Sequence, residues 1–366
     1  MSRDRRSLAD ALARIEQVRE RRRGSFYLHD EHITLSHGSG GKATHNLIEG
    51  VFAAELSNPI LDLMEDSAVF SFNGTGERMA FTTDSYVVHP LFFPGGDIGR
   101  LAIHGTVNDL AVAGATPAYL SAAVILEEGF PVSDLRRIVA SMREAAEAAG
   151  VAVVTGDTKV VERGKADGLY INTAGVGPVR SDAALSSAGA RPGDRILISG
   201  RIAEHGVAIL MAREELLLET EIESDTAPLD GVAAALLEAL GSDVHCLKDP
   251  TRGGVASALN EIAIRSGMAL AVEEENFPIR ADVRGACEIL GIDPLHMANE
   301  GKLVAVVAPE RAEEGLEALR GHPMGRAAAV VGEVLDEPPG VVFARTGIGG
   351  QRVLDMLVGD ALPRIC

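Results

Sequence analysis

The sequence predicts an α/β (α+β) protein of two domains, and three observations carry the prediction. At 366 residues with 46% apolar content the chain exceeds one ordinary core and can build two. Amphipathic helical stretches alternate with apolar runs too short to be helices. A Pro-Gly turn in "RPGDRILISG" restarts that alternation after a polar break near 180–192.

Four segments follow from this pattern. Residues 1–32 are an Arg-rich extension in which Leu8, Leu12, Ile15 and Val18 fall on one helical face, an add-on helix or a partly disordered arm whose function is not readable. Residues 33–180 form the first α/β domain, with expected strands "SAVFSF", "MAFTTD", "YLSAAVIL" and "LYINTAGVG". Its clearest helix, "SDLRRIVASMREAAEAAG", has Ser133 as a cap, a stripe of Leu135, Ile138, Val139 and Met142, and Gly150 as a stop before "VAVVT", read as a buried strand. Residues 181–335 form the second α/β domain, with helices near 230–240, 254–266, 281–290 and 309–320 between the strands "MALAVEE", "KLVAVVA" and "AAAVVGEV". "DEPPG" then sets off residues 336–366 as a flexible tail, with "GIGG" adding freedom before the final cysteine.

Charge and cysteine content narrow the function. Lys plus Arg against Asp plus Glu gives 34 − 53 = −19, which opposes a nucleic-acid backbone or an anionic membrane. Cys246, Cys287 and Cys366 are odd in number and lack CxxC spacing, so no disulfide framework or four-cysteine zinc site is written. Without an apolar run of membrane-spanning length or a secretory core, a cytoplasmic protein is expected. Cys287 shares an apolar helix face with Val283 and Leu290 and reads as structural, as does Cys246 beside Leu247, at the start of a buried turn.

Several stretches can carry chemistry. In "HGSGGKATHNLIEG", Gly38, Gly40 and Gly41 let backbone N–H groups approach phosphate, and Lys42 adds a point charge at a helix start. It lacks Walker spacing, and a surface turn reads equally well. Asp66, Asp84, Asp109 and Asp249 stand at strand ends or turns, hard oxygen donors of the kind Mg²⁺ and a polyphosphate need, although each alone is ordinary as a cap. Asn108 and Asp109 interrupt an otherwise apolar helix, so their polar groups must find partners. Asp157 and Lys159 follow a strand in "VTGDTKVV". A thiol on the last residue, Cys366, is either a frayed end or a group carried into a pocket.

Together "HGSGGK", "TTDSYVVHPLFFPGGDIGRLAIHGTVNDLAVAGATP", "GDTKVV", "KDPTRGG", "NEGKL" and the final "PRIC" resemble the hydrogenase-maturation HypE family, from about Ile33 to Cys366. That family belongs to the ATP-using superfamily named for aminoimidazole ribonucleotide synthetase, the PurM-like fold. The resemblance implies an N-terminal domain that completes a β-barrel with its twin in a homodimer, and a C-terminal α/β sandwich. It implies ATP between the domains and across the dimer, Mg²⁺ and nucleotide on Asp66, Asp84, Asp109 and Asp249, the Gly38–Lys42 loop closing on the phosphates, and Asn108 and Asp157 as further site members. It further implies that the transferase HypF carbamoylates Cys366, that ATP-dependent dehydration yields a thiocyanate, and that the cyano group passes through a HypC–HypD scaffold to a nickel-iron hydrogenase. The Arg-rich extension falls outside the resemblance. Selenophosphate synthetase shares the architecture but carries a reactive cysteine or selenocysteine near its glycine loop, which "ITLSHGSGGK" lacks.

Dehydrating S–C(=O)–NH₂ requires the oxygen to become a leaving group, which phosphoryl transfer accomplishes, and a base to take protons from nitrogen. Glu300 in "HMANEGKLV" is the candidate base, beside an apolar strand that would desolvate it. Lys159 and Arg180 would orient the tail and the transferring oxygens, and Arg364 would lower the Cys366 pKa while the terminal carboxylate raises it. Two other readings stay open: a small-molecule amide-phosphorylating ligase of the same superfamily, and a non-catalytic module whose nucleotide controls tail docking.

Overall fold

The computed structural model describes residues 30–71, 77–214, 221–357 and 364–366. Most of the Arg-rich extension, including its expected helix, lies outside the described residues.

The first domain is a five-stranded sheet with one helical layer. Helix α1 (Lys42–Leu47) follows the glycine loop. The strands are β1 (Ala68–Ser71), β2 (Arg78–Tyr86), β5 (Tyr119–Glu127), β6 (Ala152–Val161) and β7 (Leu169–Pro178), in the order β1-β2-β7-β5-β6. A small hairpin, β3 (Phe92–Phe93) and β4 (Gly96–Asp97), leads into helix α2 (Ile98–Val112). Asp97 starts α2 by accepting the Gly99 and Arg100 N–H groups at 2.8 and 3.0 Å. The helix is apolar nearly all round because it is buried nearly all round. It packs against β2, β7 and helix α3 (Val132–Ala148), and Tyr86, Leu101, Ile103, Ile138 and Ile171 share that core.

Two expectations fail in this region. The first turn of α3 begins at Val132 after Pro131 and has no side-chain cap, so Ser133 sits inside the helix. The run "VAVVT" is not buried: β6 is the last strand of its sheet, with Val153 43%, Val154 59% and Val160 65% exposed. Hydropathy alone cannot tell a strand covered within its own chain from one left at an edge.

The second domain is a seven-stranded sheet in the order β14-β13-β10-β12-β8-β11-β9, covered by helices. Its elements are β8 (Arg195–Ile198), helices α4 (Glu204–Glu214) and α5 (Asp230–Leu240), β9 (Val244–Lys248), α6 (Gly254–Ser266), β10 (Ala269–Glu273), α7 (Ala281–Leu290), β11 (Val304–Val307), α8 (Ala312–Gly321) and β12 (Ala329–Leu335). Strands β13 (Val342–Arg345) and β14 (Gln351–Val353) complete it. One face packs on α6, the other on α5 and α8. Cys246 lies within β9 rather than at a turn, and both Cys246 and Cys287 are buried in apolar clusters.

The expected tail boundary at 336 is also corrected. Strand β13 pairs in parallel with β10 from Leu270–Val342 to Glu273–Arg345, and β14 pairs with β13, so the sheet extends to Val353. Val342, Ala344 and Leu354 are fully buried, which no flexible segment would be. Proline and glycine in "DEPPG" mark a turn between strands, not the end of the core.

Asn108 joins the two domains. Its Nδ2 donates to the Ala227 and Glu300 carbonyls, both at 3.1 Å, and its Oδ1 accepts the Leu229 N–H at 2.8 Å. Asn108→Ala takes the partner from the Ala227 carbonyl and the Leu229 N–H inside the interface, while the Glu300 carbonyl keeps the Ala227 N–H at 3.3 Å. Buried groups stranded this way cost about 1–3 kcal/mol each. Urea unfolding should show a loss of about 2 kcal/mol or more; a loss below about 0.5 kcal/mol would mean that water replaces the side chain.

Candidate functional site

The carboxylates come from separate elements that meet where the domains do. Asp66 follows the turn at Leu61–Leu63, Asp84 lies on β2, Asp109 on α2, and Asp249 directly after β9. Thr82, two residues before Asp84 and on the same face of β2, donates to Asp109 Oδ2 at 2.7 Å. Burial, then repulsion from Asp249, Asp84 and Asp66, pushes the Asp109 carboxyl well above the ordinary carboxylate range. Burial and then Asp66 push Asp249 up to about 7. Asp109 and Asp249 therefore stand as acidic neighbours without a bonded cation among the described residues, whereas Asp66 is paired and Asp84 has a long contact with Arg252.

Lys248 is that partner. Its Nζ reaches Asp66 Oδ1 at 2.6 Å and Glu261 Oε2 at 2.7 Å, while His45 on α1 contacts the other Glu261 oxygen at 3.2 Å. Burial would raise the Glu261 pKa, but Lys248 and His45 outweigh it and hold the carboxyl down at about 2. This buried chain links the helix after the glycine loop to the aspartate cluster.

As they stand, no three His, Cys, Asp or Glu side chains among the described residues are placed to hold a metal ion. The donor chemistry fits a hard divalent cation nonetheless. Asp84, Asp109 and Asp249 supply oxygen only, and their mutual repulsion is what such a charge would relieve. Asp66 could join only by exchanging Lys248.

The glycine loop lies over this cluster. Gly40 has φ +76°, and a side chain there would meet the Arg252 Cβ at 2.6 Å, so the loop rests directly on Arg252. Arg252 in turn donates to the Gly38 carbonyl at 3.3 Å and contacts Asp84 Oδ1 at 3.5 Å. The Lys42 N–H donates to the Leu357 carbonyl at 3.0 Å, and its ammonium pairs with Asp355. Lys42 thus engages the root of the tail in this structure, not the aspartates.

The chain end is buried at the same place. Val87 donates its N–H to a Cys366 carboxylate oxygen and His89 donates to the Arg364 carbonyl, both at 3.2 Å, so the last residues run alongside the segment that continues β2. His205 on α4 contacts the Ile365 carbonyl through Nε2 at 2.8 Å and Ser224 Oγ through Nδ1 at 2.7 Å. Arg364 takes a left-handed φ of +55°, held by its Nε on the Val87 carbonyl, its ion pair with Asp167, and a hydrogen bond from Arg213 to its own carbonyl. It therefore does not face the thiol, as the sequence suggested. The cation acting most strongly on Cys366 is Arg252. Burial outweighs it, and Glu300, Asp84 and Asp249 add to burial, so the thiol is held protonated.

Glu300 closes the pocket. It is buried, and its Oε1 has no hydrogen-bond partner. Burial first, then Asp225, Asp249 and Asp84, push its carboxyl well above the ordinary range, against the pull of Arg252. Neutralising Asp249 and Asp84 would bring it back down.

Four candidates are not brought to this cluster. Asn108 spends its side chain on the domain joint described above. Asp157 and Lys159 sit on exposed β6 and pair with each other, Nζ to Oδ2 at 2.6 Å. In sheet register Asp157 lies opposite Ala123, then Asn172, then Ser85, which is three strand spacings or about 14 Å from the Asp84 region. Arg180 follows β7 near the start of β2 and pairs with Asp182 at 3.2 Å. The tail docks beyond the other end of β2, about 25 Å away along the strand, so Arg180 does not orient it. Sequence reasoning missed Lys248 and Arg252, although both flank Asp249 in "KDPTRGG", and missed His205, which carries no local signal.

The chain matches two family models, "AIR synthase related protein, N-terminal domain" over residues 64–179 and its C-terminal counterpart over 191–345. It is 53% identical over 334 residues to the carbamoyl dehydratase HypE of Rhizobium leguminosarum bv. viciae, covering 91% of this chain and 95% of that protein. This chain belongs to the HypE family. The PurM-like fold agrees with solved HypE structures. A HypE–HypF complex aligns with TM-score 0.81 and 49% identity over 85% of this chain and 99% of that one. HypE in complex with ATP aligns with TM-score 0.77 and 48% identity over 92% and 100%. No described helix is long and apolar enough to cross a membrane.

The His205 clamp titrates. Burial, the largest effect, holds the ring's pKa below its ordinary value against the opposing pull of Asp225 and of the Ile365 carbonyl. Protonation therefore favours the undocked tail, where the ring is hydrated. Docking is at full strength above about pH 6.5 and weakens as pH falls below it. Hydrogen exchange at the Val87 amide, corrected for intrinsic rates, should lose protection on going from about pH 7.5 to about pH 5.5. His205→Gln should remove that dependence, and unchanged protection in the wild type would count against the clamp.

Proposed function

We propose that this chain carries a carbamoyl group on Cys366 and uses ATP to dehydrate it to a thiocyanate, supplying a cyano ligand for nickel-iron hydrogenase maturation. The observation that carries the reading is the terminal thiol buried beside Arg252 and Glu300, at the edge of an acidic cluster roofed by a glycine loop, in a member of the HypE family.

The carboxamide oxygen attacks the γ-phosphorus of ATP, ADP leaves, and one N–H proton is lost, giving S–C(=NH)–O–phosphate. The C–O bond then breaks with its electron pair leaving on phosphate, the second nitrogen proton departs, and S–C≡N remains. Overall the amide oxygen ends on inorganic phosphate, and no free water is consumed. Glu300 would take a nitrogen proton, once it has released the one that burial and its acidic neighbours make it hold. Asp84, Asp109 and Asp249 would hold Mg²⁺, which offsets phosphate charge when bound. Gly38, Gly40, Gly41 and Lys42 would meet the phosphates, and Lys42 must first leave Asp355.

A protonated, buried thiol cannot attack a carbamoyl donor, so loading takes place with the tail undocked. The transferase is a HypF-like partner, and a HypC–HypD-like scaffold receives the cyano group. Exposed apolar β6, with Asp157 and Lys159 on it, is the edge across which a second copy would close the barrel and bring those two residues toward the partner's nucleotide. We place the protein in the cytoplasm, consistent with three free cysteines.

Cys366→Ser should bind ATP but accept no carbamoyl group, because a hydroxyl without an activating base is a poor nucleophile. Loaded wild type should lose one water from the tail peptide only with hydrolysable ATP and Mg²⁺, as read by intact mass. A mass change on Cys246 or Cys287, or one without ATP, would overturn the carrier role and favour a small-molecule ligase. Asp84→Asn should stay folded and lose turnover by about a hundredfold or more. Full Mg²⁺-dependent ATP consumption by that variant would remove Asp84 from the site.

A further inference from the structure

The scaffold around Arg252 is rigid in a way that a surface arginine does not require. Gly253 and Gly254 follow it with φ of +75° and +64°. A side chain at Gly253 would strike Ser257 Oγ at 2.0 Å, and one at Gly254 would strike the Met297 carbonyl at 2.5 Å. At Gly254 the turn carrying Arg252 is therefore packed closely against the backbone of the loop that leads into Glu300. Among the described residues the guanidinium makes two hydrogen-bonding contacts, both long: 3.3 Å to Gly38 O and 3.5 Å to Asp84. An arginine has five N–H donors, so directions remain for a ligand. Of the other expected cations, Lys42 pairs with Asp355, Lys159 with Asp157 and Arg180 with Asp182, and Arg364 spends Nε on the Val87 carbonyl and Nη1 on Asp167, which leaves its buried Nη2 without a partner.

We propose that Arg252 fixes the orientation of the tail's carboxamide, binding its oxygen so that the oxygen faces the glycine loop and the nitrogen faces the unpartnered Glu300 Oε1. This rests on the carbamoyl-carrier reading above. The selectivity is chemical. A guanidinium only donates, so it accepts the carbonyl oxygen and rejects the NH₂ group. Glu300, once it has released its proton, only accepts, so it takes the NH₂ group and rejects the oxygen. The flipped amide would set donor against donor and acceptor against acceptor in a water-poor pocket, and the nucleophilic oxygen would point away from ATP. The same guanidinium touches Gly38, and so holds the oxygen and the phosphate-binding loop on one side chain.

The test uses the full chain, carbamoylated by its transferase, in single turnover at saturating ATP. Arg252→Ala should load to the wild-type extent and lose water from the tail about a hundredfold more slowly. Added methylguanidinium should restore part of that rate, and Arg252→Lys should fall between, because an ammonium donates but lacks the fork. Wild-type water loss within a factor of about three in Arg252→Ala would overturn the proposal. So would a defect that vanishes at saturating ATP. A loss that methylguanidinium leaves untouched would assign Arg252 to holding the glycine loop alone, and would equally overturn it. If loaded wild type itself sheds no water with ATP, the carrier reading fails instead, which separates the two failures.

Discussion

One amide side chain ties the halves of the site together. Asn108 adjoins Asp109 on α2 and binds the backbone carbonyl of Glu300 in the other domain. The spacing between an aspartate of the acidic cluster and the Glu300 carboxyl beside the docked tail is thereby set by three hydrogen bonds rather than by the orientation of whole domains. Because the Asn108 bonds are buried, water does not compete for them, and the joint behaves as part of the core. The remaining geometry is hung from this joint: β2 beside α2, the tail beside the end of β2, and the glycine loop on Arg252.

Charge is arranged around that joint with unequal compensation. Asp66 and Glu261 share Lys248, and Asp225 has Lys302 at 2.8 Å. Asp109, Asp249 and Glu300 lack such a cation of their own and are pushed toward their neutral forms. A site in this condition favours whatever brings positive charge to the first two and draws protons from the third. The chain's overall excess of acid says nothing of this; the pairing pattern does.

How much could be read from the chain follows the range of each interaction. The α/β class, the two domains and most helices rest on local periodicity and turn chemistry, which act over a few residues and are written there. Asp66 and Asp249 were visible because turns and strand ends mark themselves, and Asn108 and Asp109 because a polar pair interrupts an apolar helix, although the partners of Asn108 proved to be backbone groups; Asp84 lies within β2 and Asp109 within α2 rather than at a strand end or turn. Arg252 and His205 were silent: one contacts residues 168 and 214 positions away, the other a carbonyl 160 positions away. Strand β6 misled because an edge and an interior strand share one composition until their neighbours are known. Arg180 misled because position after a strand does not say which end of the sheet faces the site.

The anchoring of the tail root has a geometric consequence. Leu357 is held by the Lys42 N–H, and Cys366 lies nine residues beyond it. A fully drawn-out chain spans at most about 3.3–3.6 Å per residue, so the sulfur is on a leash of about 30 Å. Any protein that loads or unloads the thiol must bring its own reactive centre inside that radius, measured from the lip of the glycine loop. The leash therefore limits not only where the sulfur can go but which faces of this molecule a protein acting on it could occupy.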